Sequence, residues 1–277
     1  MSVAPYVIFM EFGVVVGSSW SVKQIVESAI VADDCGLDFL LVTDHYLIPS
    51  SNESVDAWTI LAALAVKTER IRLGTCVTPI PFRPPQILAK VVATVDQLSN
   101  GRVVLGVGAG WHKPEFDAYS TWDDGKVRVA KTREGMELMQ KFWTSNEPFD
   151  FEGKYYRAKG ALLEPKPIQK PHPPFWFGTT GPYMLKLAKR DADGWVPPVP
   201  GVPMQVYQTV LAALREQPQK RDRKPIKLMF NGTLPEITET IPEFVKMGFD
   251  GAILARTPRE ETAQAIQKMA KEIIPNY

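Results

Sequence analysis

The sequence predicts an α/β protein of one kind: a (β/α)8 barrel carrying an insertion between its fourth and fifth strands. Three observations predict it. Short apolar runs, rich in β-branched and aromatic residues, alternate eight times with amphipathic stretches. The runs show little polar alternation, as expected of parallel strands buried on both faces. The 277 residues divide into roughly 35 per unit, a length that such barrels use as one domain. A doubly wound open sheet is the competing arrangement, but eight alternations are many for one.

The strands fall at Tyr6–Glu11, Phe39–Thr43, Ile71–Val77, Val103–Val107, Phe175–Phe177, Gly194–Val196, Ile226–Phe230 and Ala252–Leu254. The helices between them carry their own punctuation. Ser21-Val-Lys-Gln24 is a capping box opening a helix with Val22, Ile25, Val26, Ala29 and Ile30 on one face, and Gly36 stops it. Thr257-Pro-Arg-Glu260 reads as a second capping box with Pro258 at the first helical position. Pro84 and Pro182 mark other helix starts, and Gly248 marks an end.

The spacing breaks once. Between strands four and five lie a long helix, Val127–Phe142, and a hairpin-like alternation over Phe149–Tyr156 turning at Glu152-Gly153. Residues 146–173 are expected to be an insertion on a single domain covering 1–277, because their apolar content is too small to bury a core alone.

Composition narrows the function. With 32 Lys+Arg against 31 Asp+Glu the net charge is +1, which offers no electrostatic grip on nucleic acid or an anionic membrane. Cys35 and Cys76 are too few for a disulfide framework or a cysteine-based zinc site, so a reducing cytoplasm is the expectation. The first residues lack the basic start of a signal peptide, and the longest apolar helical stretch is far short of a membrane span. His45, His112 and His172 lie on three unrelated loops, so no metal site is expected.

In barrels of this kind chemistry sits at the C-terminal ends of the strands. Asp44-His45 follows strand two, where His45 could move a proton and Asp44 could equally cap a turn. Gly74–Pro85 follows strand three, stiffened by Pro79, Pro81, Pro84 and Pro85, with Arg83 available to an anion or to an ion pair. Cys76 in that segment has no base near it in sequence and reads as a small buried hydrophobe. Gly106-Val-Gly-Ala-Gly-Trp111 follows strand four; its alternate glycines admit a flat ligand or a close-packed neighbour, and it is not a dinucleotide fingerprint. Gly178-Thr-Thr-Gly181 precedes a helix, as an anion cradle or a capped helix start. Of the 24 prolines, ten fall in segments following strands three to six, which points to a stiff rim on that face. Strong nucleophiles and metal cages are missing from these loops, and the chemistry is expected to come from a cofactor.

The blocks TDHY (43–46), RIRLGTCVTPIPFRPPQILAK (70–90), LSNGRVVLGVGAGWHKPEF (98–116), FGTTG (177–181) and DADGW (191–195) resemble the bacterial-luciferase-like superfamily of flavin and deazaflavin oxidoreductases, in its coenzyme F-420-dependent branch. The resemblance covers nearly the whole chain. It implies a (β/α)8 barrel, commonly a homodimer, that passes hydride between coenzyme F-420 and a small organic substrate. The in-family alternative is a monooxygenase using FMN with a separate flavin reductase; a barrel that binds a ligand without catalysis is a third possibility. The resemblance places Asp44 and His45 beside the ring, with His45 in proton transfer. It places Thr75, Cys76 and Val77 at a bulge behind the ring, often carrying a non-prolyl cis peptide. Gly108, Gly110 and Trp111 line the site, and Gly178, Thr179, Thr180 and Gly181 hold the cofactor phosphate. Lys186, Lys189 and Arg190 would favour the deazaflavin's polyglutamyl tail, or face solvent. Tyr46, Trp111 and Trp195 would wall the pocket, Trp195 also being explained as ordinary core. The family's sugar-phosphate dehydrogenases carry a glutamate where this chain has Trp111, which leaves the proton donor open, with His112 and Glu115 as candidates.

Overall fold

The computed structural model describes residues 10–48, 51, 53–198, 201–215 and 224–277. Eight parallel strands close into a barrel: β1 (Glu11–Val16), β2 (Phe39–Val42), β3 (Arg72–Thr75), β4 (Val103–Gly108), β5 (Phe175–Gly178), β6 (Gly194–Val196), β7 (Lys227–Gly232) and β8 (Gly251–Leu254). Neighbours pair in chain order, β8 returns to β1, and β3 meets β4, so no edge is left open. The competing open sheet is thereby excluded. Helices surround the barrel: α1 (Val22–Asp34), α2 (Ala57–Ala65), α3 (Pro85–Leu98), α4 (Lys113–Tyr119), α5 (Gly125–Thr144), α6 (Pro182–Asp191), α7 (Met204–Arg215), α8 (Leu234–Met247) and α9 (Thr262–Glu272). Not one of the described helices is long and apolar enough to cross a membrane.

Most of the punctuation acts as anticipated. The Ser21 hydroxyl accepts from Gln24 N and the Gln24 side chain answers at Ser21 N, completing the capping box of α1. Pro182 is the first residue of α6, and Gly248 ends α8 in the left-handed conformation. Two expectations are corrected. The first strand is Glu11–Val16; of the anticipated Tyr6–Glu11, positions 6–9 lie outside the described residues. Gly13 does not end this strand but lets it pass close to Phe39, whose ring would lie 2.1 Å from a Cβ there. At the other end, Thr257–Glu260 is not a capping box. Pro258 O accepts from Glu261 N in a turn, the Thr257 hydroxyl is buried without a partner among the described residues, and α9 starts only at Thr262.

The interruption between β4 and β5 contains α5 and a hairpin, Phe149–Glu152 with Arg157–Ala161. Glu134 of α5 ties the hairpin turn down by accepting from the N–H groups of Lys154, Tyr155 and Tyr156.

At the N-terminal end of the barrel one clasp recurs three times. Asp38, Asp193 and Asp250 each precede a strand, donate their N–H to a carbonyl on the preceding strand, and take that residue's N–H on their carboxylate at 2.8 Å. The partners are Phe12, Phe175 and Leu228. Each clasp satisfies strand-end groups that would otherwise be orphaned. Glu11 of β1 pairs there with Arg72 and Lys227, and the Arg72 guanidinium lies over Trp176 (5.4 Å) and Phe39 (5.6 Å), stoppering the barrel.

Candidate active site

At the opposite end a cavity of about 550 Å³ opens over β3–β6, on the face where barrel enzymes keep their chemistry. Its floor is the bulge at Cys76-Val77, whose peptide bond is cis, followed by a short strand continuation at Thr78–Pro79. Gly108 and Gly178 flank the bulge, and a Cβ on either would stand 2.7 Å from a Val77 methyl group. The floor is flat because both positions lack a side chain. Cys76 keeps some surface inside this recess, but burial dominates and pushes its thiol up to about 12, so it is a neutral wall and not a nucleophile.

One side of the cavity is the N-terminus of α6. Thr179, Thr180 and Gly181 run into it, Gly181 supplies no side-chain cap, and the first N–H groups of the helix remain for an anion. The Trp195 indole is fully buried and donates to Thr179 O at 2.7 Å, so this core residue also sets the course of the loop. Arg128, which no motif marked, joins this wall from α5. It lies 3.7 Å over the Trp122 ring, donates to Asp123 O at 2.5 Å, and has a buried Nε with no hydrogen-bond partner among the described residues.

His45 lines the other side. Its Nδ1 lies 2.9 Å from Oε1 of Glu115, a carboxylate buried in the first turn of α4, and Glu115 Oε2 accepts from Tyr46 N (3.1 Å) and Leu47 N (3.4 Å). Trp111 stands edge-on to His45 with ring centres 5.6 Å apart and is 58% exposed, an apolar face at the cavity mouth.

The structure therefore gathers His45, Cys76, Val77, Gly108, Gly110, Trp111, Gly178, Thr179, Thr180 and Gly181 around one cavity. Asp44 and Thr75, expected at the cofactor, are not among the residues lining this cavity. Asp44 is fully buried behind the wall, clamped by Arg83 through both carboxylate oxygens (2.7 and 2.8 Å) and by the Thr78 hydroxyl. Arg83 also binds Asp56, so it is neither an anion receptor nor a surface pair. Thr75 is fully buried, its hydroxyl 3.4 Å from Gly106 O. Tyr46 also leaves the pocket wall: its ring lies under Arg83 and its hydroxyl donates to Asp56, where burial pushes it up to about 12. His112 only precedes α4 and packs on Trp111.

A second cavity of about 920 Å³ adjoins the first, sharing Val129 and Tyr183. Lys126, Arg133, Lys186, Lys189 and Lys224 face it, with Asp250 as the acid. Arg190 also lines it and pairs with Asp191 and Glu137.

Residues 6–241 match the luciferase-like monooxygenase family. The chain belongs to that family. Among curated members it is 32% identical over 234 residues to an F-420-dependent glucose-6-phosphate dehydrogenase of Amycolatopsis mediterranei (strain U-32), covering 82% of this chain and 66% of the relative. It is 30% identical over 213 residues to a phthiodiolone/phenolphthiodiolone dimycocerosates ketoreductase of Mycobacterium kansasii, covering 76% and 57%. The match thus spans less than two thirds of these relatives. Among solved structures, a coenzyme F-420-dependent tetrahydromethanopterin reductase from Methanopyrus kandleri superposes with a TM-score of 0.81 at 20% identity, over 97% of this chain and 99% of that one. That likeness shows the same barrel fold.

Proposed function

We propose that this family member is an oxidoreductase passing hydride between coenzyme F-420 and a small alcohol or ketone. The observation that carries the proposal is the opposition, across one flat-floored cavity, of an imidazole backed by a buried carboxylate and a helix terminus lined with hydroxyls and an arginine. When bound, a deazaflavin would supply the hydride acceptor, and its slow reaction with oxygen favours transfer over oxygenation. The residues fit it. Gly108 and Gly178 leave room for a ring over Val77, and Thr179, Thr180, the α6 N-terminus and Arg128 suit a phosphate. The cationic second cavity suits a tail of glutamyl carboxylates.

His45 would exchange a proton with the substrate oxygen while the barrel wall excludes water. Trp111 offers an apolar face at the mouth, which supports a compact alcohol or ketone over a sugar phosphate. The names of the relatives, a dehydrogenase and a ketoreductase, agree with this class. A cytoplasmic homodimer is the proposed setting.

Titration with coenzyme F-420 and with FMN, each followed by absorbance, tests the reading. Binding of F-420 in preference to FMN is expected. Tight FMN binding without F-420 binding would turn the assignment to an oxygenase supplied by a separate reductase, and binding of neither would leave a barrel without redox chemistry.

A further inference from the structure

We propose that Glu115 is a positioning residue that holds the ring proton of neutral His45 on Nδ1, so that Nε2 presents a lone pair to the substrate. The inference rests on the proposed redox role of the cavity and adds the direction in which His45 works within it.

The chemistry follows from the donors around one carboxylate. Glu115 Oε2 faces the N–H groups of Tyr46 and Leu47, which can only donate. No lysine or arginine pairs with Glu115 among the described residues. A carboxylate offers only acceptors, and Oε2 is taken up by two backbone donors, which leaves Oε1 as the acceptor for the ring. Oε1, 2.9 Å from His45 Nδ1, therefore accepts, and Nδ1 must carry hydrogen in both protonation states of the ring. The Ser54 hydroxyl, donating to His45 O, and the Trp111 edge hold the backbone and the ring in place. Among the described residues nothing bonds Nε2, which is then the nitrogen to exchange a proton with a ligand, and in the neutral ring it is an acceptor.

An acceptor suits an alcohol as the substrate of the forward step. With a deazaflavin bound as two-electron acceptor of the carbinol hydride, His45 Nε2 would take the hydroxyl proton as the carbinol became a carbonyl, and Glu115 behind the ring would offset the charge of the imidazolium. In reverse, the same imidazolium donates to the oxygen of a ketone.

Glu115→Gln tests this without changing volume. Its amide oxygen must meet the two backbone N–H groups, which turns the NH2 toward Nδ1. Nδ1 then accepts, and the neutral ring moves its proton to Nε2. Nitrogen NMR of the labelled, cofactor-free protein reads this directly. Three histidines give a simple spectrum, and His45→Gln assigns the signal. At a pH where the ring is neutral, wild type is expected to show a protonated Nδ1 and bare Nε2, and Glu115→Gln the reverse. With a panel of secondary alcohols, Glu115→Gln should lower kcat by about 10²–10⁴, the scale at which a wrong histidine tautomer acts in serine proteases, with F-420 affinity unchanged within about twofold.

Wild-type His45 protonated on Nε2 overturns the proposal, as does a tautomer unaltered by Glu115→Gln. If that variant does not fold, the wild-type spectrum still decides. Because the spectrum is taken without cofactor, it stands or falls separately from the F-420 titration.

Discussion

Both ends of this barrel hold charged groups, and they use them in opposite ways. At the N-terminal end the charges close on one another: Glu11 on Arg72 and Lys227, and three aspartates on strand N–H groups, with Arg72 over two aromatic rings. At the C-terminal end the buried pair of Asp44 and Arg83 stands behind the wall, and the groups in front of it retain open valences toward the cavity. Among the described residues His45 is held by one nitrogen only, and Arg128 is held by stacking and a carbonyl instead of a carboxylate. A charge paired on all sides contributes to stability alone, whereas a charge fixed from one side is preorganised to act.

Substitutions at the two ends should therefore separate function from stability. The largest expected effect is on turnover: His45→Asn should lose about 10²–10⁴ in kcat, the range of general acid–base catalysis, with a melting temperature close to wild type. Wild-type turnover in that variant would remove His45 from the chemistry. Next comes Arg83→Ala, which strands fully buried Asp44 and should cost about 3–5 kcal/mol in denaturant unfolding. A loss under about 1 kcal/mol would mean that the pair is not the anchor of this wall.

Gly178→Ala sharpens the contrast at the cavity floor. Its Cβ would press on Val77 from 2.7 Å, and F-420 affinity should fall about tenfold, or about 1.4 kcal/mol, in the absorbance titration. The smallest effect is at the closed end. Burial tends to raise the Glu11 carboxyl, but Arg72 and Lys227 outweigh it and hold the group below its usual value. A carboxyl lowered on folding stabilises above its unfolded value of about 4 and loses that contribution as pH falls through the lowered value. Glu11→Gln should thus flatten the acid limb of the stability curve while leaving turnover at neutral pH intact.

Much of this was written locally. The alternation of apolar runs marked seven of the barrel strands within a few residues, because a parallel strand buried on both faces needs a continuous apolar run. The blocks at Cys76-Val77, Gly108–Trp111 and Gly178–Gly181 lie around one cavity because strand ends in a barrel converge on one face. What local pattern could not assign is the direction of a side chain just past a strand, where neither the strand nor the helix period applies. Asp44 and His45 are adjacent in sequence, yet one faces Arg83 and the other faces the cavity. Glu115 reaches His45 across 70 positions, and no spacing rule links them.

By itself, then, the sequence determined the barrel, the order of its units and the loops that form its active face, since burial patterns and caps act over a few residues. Only the tertiary structure decided which charges are consumed in holding the wall and which are left to act, because that choice depends on partners brought together by closing the barrel.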